Sequence, residues 1–104
     1  MGAITWNLTD YEMVGSEWKV LGDCLKTVHL YGTFAGGTVV LQGSNEDTPT
    51  NWVTLKNYNE TGISFNTAAL ETIAENPKYI RPALSGGAPT TDVTVVISFR
   101  HDYK

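Results

Sequence analysis

Residues 27–43 read TVHLYGTFAGGTVVLQG, and the patterning of this stretch decides the fold. From Thr27 the chain alternates strictly, with Val28, Leu30, Gly32 and Phe34 on one side and Thr27, His29, Tyr31 and Thr33 on the other. A period of two belongs to a strand with one buried and one exposed face. Ala35-Gly36-Gly37 then supplies residues suited to the positive φ of a tight reversal, and the alternation resumes with Val39 and Leu41 inward. The expectation is a β-hairpin over 27–43.

Residues 43–51 (GSNEDTPTN) are turn formers, and Trp52–Lys56 follows as a third strand with Val53 and Leu55 inward. Three consecutive antiparallel strands result. Beyond a polar connection at 57–62 comes the short alternating segment Ile63-Ser64-Phe65. Asn66 or Thr67 can cap a helix, and Leu70, Ile73 and Ala74 fall at i, i+3, i+4. That spacing predicts a short helix over 67–75, ended by Asn76-Pro77. Residues 79–84 read as a strand in which Pro82 cannot donate to a ladder, so an edge or a bulge is expected there. After a loop at 85–91, the strand 92–100 turns Val93, Val95, Ile97 and Phe99 inward.

The first 23 residues lack a clean period. Trp6, Leu8, Tyr11, Met13, Val14, Trp18, Val20 and Leu21 are scattered among polar residues, as in an extended arm with one or two short strands. In one reading Trp18, Val20 and Leu21 form an ordinary first strand and Trp6 caps the core. In the other the arm lies over a neighbouring subunit, which makes Trp6, Leu8, Tyr11 and Trp18 candidate subunit contacts. The expected organisation is an arm and first short strand over 1–26, a β core over 27–100 and a solvated tail over 101–104. The fold class is all-β, a single antiparallel β-sandwich of jelly-roll-like or immunoglobulin-like type, with one short helix and an extended amino-terminal arm.

Composition supports a single domain. The chain has 104 residues, 41% of them hydrophobic and only 17% charged. Val, Ile and Thr together number 28, which favours sheet. A formal net charge of −4 is the wrong sign for releasing counterions from a phosphate backbone, so nucleic acid is excluded as the expected partner. No run of apolar residues is long enough for a membrane helix, and residues 1–8 do not read as a signal peptide. The lone Cys24 excludes an internal disulfide framework or a thiolate-rich metal site.

Catalytic constellations are missing in number before geometry is considered. His29 lies in a strand and His101 in the tail, and neither is placed beside Cys24 or a serine for nucleophilic chemistry. Glu46 and Asp47 are turn neighbours, while Glu71 and Glu75 share a face of the expected helix. The loop Ser44-Asn45-Glu46-Asp47 lacks the alternating acidic spacing of a calcium loop and reads as a turn. No catalytic residue, cofactor or metal ligand is therefore expected, and the chain reads as a non-enzyme. Asn51, Trp52 and Tyr58 are candidate sugar contacts, because a Trp and a Tyr can stack on a pyranose ring while an Asn bonds its hydroxyls.

The stretch from Thr27 to Asp47, then Asn51-Trp52-Val53-Thr54-Leu55, then Tyr79 to Gly87 and the strand at 94–98 resemble small structural proteins of tailed bacteriophages. The resemblance covers roughly residues 27 to 100 and rests on strand and turn motifs. It implies a virion component assembled in the host cytoplasm, foremost a capsid decoration or cement protein that binds the major capsid protein and self-associates as a homotrimer. A tail or neck component is a further possibility from the same kind of particle. The GSN…NW turn at 43–52 also resembles one in discoidin-type carbohydrate-binding sandwiches, which makes a sugar-binding module the alternative.

Overall fold

The computed structural model describes residues 2–20 and 24–100. Ten strands form, in the order β1 (Gly2–Thr9), β2 (Met13–Val14), β3 (Trp18–Lys19), β4 (Leu25–Thr33), β5 (Thr38–Ser44), β6 (Val53–Thr54), β7 (Ser64–Phe65), β8 (Ala69–Ile73), β9 (Tyr79–Ser85) and β10 (Asp92–Arg100). Two antiparallel sheets result. The four-stranded sheet has the order β1-β10-β4-β8. In the six-stranded sheet, β9 and β5 lie side by side, with β2 and β3 along the outer edge of β9 and β6 and β7 along that of β5. No helix occurs among the described residues.

The core joins the inward rows of both sheets. Trp6, Leu8, Val28, Leu30, Ile73, Val93, Val95 and Ile97 come from the four-stranded sheet, and Val39, Leu41, Ile80 and Leu84 from the other. Phe34, Leu55 and Ile63 close the cluster from connecting segments. The alternation read at 28–34 and 93–97 thus places the expected side chains inside. One inward position is not apolar: Lys26 is buried, its Nζ donating to the Cys24 carbonyl at 3.1 Å and to Asn76 Oδ1 at 2.7 Å. Those acceptors compensate for removing the ammonium from water.

Several expectations are corrected. The turn after Phe34 forms, with Ala35 at φ 49°, Gly36 at φ 83° and the Gly37 amide donating to the Phe34 carbonyl at 2.8 Å. It does not close a hairpin. β4 pairs with β10 and β8, whereas β5 pairs with β9, so the turn carries the chain from one sheet to the other. Val28 and Leu30 therefore meet Val39 and Leu41 across the core instead of lying beside them.

The expected helix over 67–75 is instead β8, paired with β4 from Lys26↔Ile73 to Leu30↔Ala69. Ile73 is buried, but Leu70, which the helical stripe put inward, is 66% exposed. A helix of about two turns is marginal by itself, and the free edge of β4 satisfies the same backbone groups in a ladder. Val53, expected inward, is 70% exposed, and only Leu55 of that segment enters the core.

Pro82 is not on an edge strand, since β9 is paired on both sides. Its neighbour is interrupted instead: β2 ends at Val14, β3 starts at Trp18, and the Gly15 amide between them donates to the Pro82 carbonyl at 2.8 Å. The nitrogen and carbonyl of one residue in an antiparallel strand point the same way, so the proline nitrogen faces this break and costs no ladder bond.

The amino-terminal segment is more regular than its sequence suggests. β1 pairs with β10 over eight positions, from Gly2↔Phe99 to Thr9↔Asp92. Trp6 and Leu8, expected as subunit or capsid contacts, are core residues at 6% and 0% exposure. The Trp6 Nε1 donates to the Ser16 carbonyl at 2.8 Å, which satisfies its one polar group. Trp18 is half-buried against Phe99, ring centroids 4.8 Å apart, and only Tyr11 of the four stands out at 58% exposure. The expectations for Leu21 and for the tail 101–104, His101 included, lie outside the described residues.

Candidate functional site

Burying one row of the four-stranded sheet displays the other on its outer face. β1 presents Ala3, Thr5, Asn7 and Thr9; β10 presents Asp92, Thr94, Val96, Ser98 and Arg100. β4 presents Leu25, Thr27, His29, Tyr31 and Thr33; β8 presents Leu70 and Thr72. Register aligns Thr5, Val96, His29 and Leu70 into one row across all four strands. The His29 and Tyr31 rings lie 4.9 Å apart on the same strand face. Of these outward residues only Asp92 and Arg100 carry a full charge, at opposite ends of β10, and Asp92 accepts a hydrogen bond from Asn7 Nδ2 at 2.6 Å.

At the Arg100 end, the loop after β6 brings Tyr58 against this face. Tyr58 lines a shallow depression with Leu25, Thr27, Thr72, Ser98 and Arg100. The surface is a broad, weakly charged sheet face with aromatic and aliphatic groups at its centre and one corner. Such a surface loses little on desolvation.

The three candidate sugar contacts are not brought together. Trp52 is half-buried under Arg81, whose guanidinium carbon lies 4.1 Å from the ring centroid. Arg81 Nε in turn donates to Gln42 Oε1 at 2.9 Å, which fixes the guanidinium over the indole. Asn51 Nδ2 donates to Glu46 Oε2 at 3.1 Å, and Asn51 lines a different depression from Tyr58. One face of the indole is therefore occupied by a cation, and the amide is engaged within its own loop.

Glu46, read as part of a turn, organises that loop. Its Oε1 accepts from the Thr50 amide at 2.8 Å and from the Asn51 amide at 2.7 Å. These donors, Thr50 first, hold its carboxyl at about 2, well below the ordinary value of 4.5. The depressed carboxylate is explained by the turn it ties, with no substrate required. Asp47 pairs with Lys78, which pulls its carboxyl down as well. No group of three or more His, Cys, Asp or Glu side chains among the described residues could hold a metal ion. Cys24 is a half-buried free thiol, and no helix among the described residues is long and apolar enough to cross a membrane.

The alternation of residues 92–100 already turns Val96 and Arg100 outward, and the residues of the outer face that sequence reasoning missed are Leu25 and Leu70. Leu70 carried a usable signal, because Ala69, Glu71 and Ile73 also alternate with Leu70 and Thr72 at period two. No protein-family model, no curated protein and no solved structure matches this chain.

Proposed function

We propose that the chain is a non-enzymatic structural module that packs against other protein subunits, with the head of a tailed bacteriophage as its setting. In this reading it is a β-sandwich of jelly-roll-like or immunoglobulin-like type that decorates and stabilises the capsid lattice, contacts the major capsid protein and self-associates. The setting comes from the resemblance of residues 27–100 to small phage structural proteins. The observation that carries the docking role is the outer face of the four-stranded sheet, where Tyr31 is 42%, Leu25 44% and Leu70 66% exposed amid Thr, Ser and Asn. Tyr31 and Leu70 near the centre and Leu25 at one corner put apolar groups on a face with little charge, which fits a contact site. Repetition on a lattice multiplies a modest individual affinity.

The test is sedimentation with empty shells assembled from the major capsid protein of the phage that carries the gene. The wild-type chain should pellet with shells, and Tyr31→Asp and Leu70→Asp should each reduce the bound fraction about tenfold or more, since a buried unpaired charge at an interface is strongly unfavourable. Both residues are exposed, so circular dichroism and melting temperature should stay close to wild type. A wild-type chain that ignores shells, or variants that pellet like wild type, would overturn the reading. A gene lying among tail genes, with binding to tail tubes instead, would move the same surface to the tail or neck.

A further inference from the structure

A two-sheet protein has open sheet edges, each a row of backbone donors and acceptors able to template another strand. Three of the four edges here are blunted. In the six-stranded sheet, β2 and β3 on one side and β6 and β7 on the other are only two residues long. In the four-stranded sheet, β8 is five residues long, carries Glu71 and is flanked by the loop after β6. Asn57 Nδ2 donates to Glu71 Oε1 at 3.0 Å, and the Ala74 amide donates to the Lys56 carbonyl at 3.0 Å.

The fourth edge, β1, is different. It runs eight residues, GAITWNLT, without a charge, a proline or an interruption. Its ladder to β10 is continuous, and no backbone hydrogen bond from the described residues reaches its other side. A second, independent feature flanks it. The segment after β1 turns at Asp10 into the other sheet and packs back on β1, with the Trp6 indole bonded to the Ser16 carbonyl. That segment exposes Tyr11 at 58%, Met13 at 39% and Val14 at 51%, and β2 within it lies against β1.

We propose that β1 pairs antiparallel with β1 of a second copy of this chain, joining two four-stranded sheets into one of eight strands, with Tyr11, Met13 and Val14 covered alongside. The geometry favours a copy over an unrelated extended peptide for three reasons. An uncharged strand meets no like charge when it faces itself, although the whole chain carries −4. Two-fold pairing is self-complementary, so every contact made by one copy is made by the other. Peptide recognition by strand addition draws its specificity from side-chain pockets beside the edge, and the exposed row of β1 is the small, flat set Ala3, Thr5, Asn7 and Thr9. The strand ladder by itself is smaller than the roughly 800 Å² per partner of a stable interface, so the flanking Tyr11, Met13 and Val14 have to contribute. The charges of the flank, Asp10, Glu12, Glu17 and Lys19, lie on the connecting segment and β3 and do not enter the new ladder.

This pairing stands apart from shell binding, which uses the face of the sheet and not its edge. The experiment is sedimentation equilibrium over a concentration series with wild type, Thr5→Lys and Ser64→Lys. Thr5 is exposed near the strand centre, so lysines there bring like charges close together across the two-fold axis while leaving the β10 ladder intact. The wild type should fit a monomer–dimer equilibrium, Thr5→Lys should raise the dissociation constant at least about tenfold, and Ser64→Lys on β7, an edge strand of the other sheet, should match wild type. Hydrogen exchange should show β1 amides that gain protection as concentration rises. Three results would overturn the pairing: a wild type that stays monomeric, a trimer of the kind the phage resemblance implies, or a Thr5→Lys chain that is folded by circular dichroism and associates like wild type. Loss of shell binding with dimerisation retained, or the reverse, separates the fate of the two proposals.

Discussion

The two sheets of this protein are held by different means. The four-stranded sheet is a set of long ladders, eight positions between β1 and β10 and nine between β10 and β4, with side chains alternating cleanly between core and surface. The six-stranded sheet has one long ladder, β5 with β9, and four two-residue fragments, and the loop between β5 and β6 is held by single contacts: Glu46 accepts from the Thr50 and Asn51 amides, Asn45 Oδ1 accepts from the Lys78 amide, and the Arg81 guanidinium lies over Trp52. Continuous ladders give the first sheet its order and leave it an open edge. Fragmentation closes the second sheet's edges and makes its stability depend on individual side chains.

The comparison breaks most visibly at β1. Removing residues 1–17 deletes a whole ladder together with Trp6 and Leu8, each large-to-small loss of this kind being worth about 2–5 kcal/mol. Against a typical total of about 5–15 kcal/mol, the remainder should show no cooperative thermal transition by circular dichroism. A truncated chain that melts like wild type would reduce β1 to an accessory strand.

Within the ladders, Ile97→Ala should cost about 3–5 kcal/mol in urea unfolding, because Ile97 is fully buried at the centre of β10. Val53→Ala in the fragmented sheet should change stability by less than about 0.5 kcal/mol, as Val53 is 70% exposed. Similar costs for the two would mean that Val53 bears on the core as Ile97 does, against its exposure.

The smallest effect sharpens the contrast. Glu46 has a folded-state value of about 2, lowered from 4.5. A depressed carboxyl contributes its stability in full above the unfolded value and loses it as pH falls from about 4.5 through 2. Wild-type melting temperature should therefore decline on acidification through that window. Glu46→Gln should decline less steeply there while starting slightly lower at neutral pH, with a deficit smaller than that of Ile97→Ala. An identical acid slope in the variant would remove Glu46 from the set of groups that fasten the loop.

The same division explains what could be read in advance. Strands β4 and β10 were legible because each has one face in the core, which writes period two directly into residues 28–34 and 93–99. What the alternation leaves open is partnership. Ala35-Gly36-Gly37 reverses the chain equally well between neighbours in one sheet and between facing sheets, and the choice is made by β10, some sixty residues away, which occupies the place a hairpin partner would have taken beside β4. At β8, Leu70, Ile73 and Ala74 match a helix by spacing, and tertiary pairing with β4 overrides that local preference. The outer face was half visible: His29 and Tyr31 were placed opposite the core row, whereas Leu70 was hidden by the helical reading. The segment 2–20 was obscured because β2 and β3 are only two residues long, although in β1 Ile4, Trp6 and Leu8 do alternate with Thr5, Asn7 and Thr9. Trp52, Asn51 and Tyr58 are close in sequence, but the loop ending at Asn51 turns its amide back on Glu46 and the next loop carries Tyr58 to the other sheet.

The place of β10 between β1 and β4 bears on how the molecule is made. As the nascent chain leaves the ribosome, β1 and β4 emerge before β10 and are left flanking a gap one strand wide, which only Asp92–Arg100 can fill. Until then β1 has no ladder partner and β4 has only β8. The four-stranded sheet therefore cannot close before β10 is made, and a stop before residue 92 leaves β1 and β4 without their common partner, a product for chaperones and proteases rather than a smaller working domain.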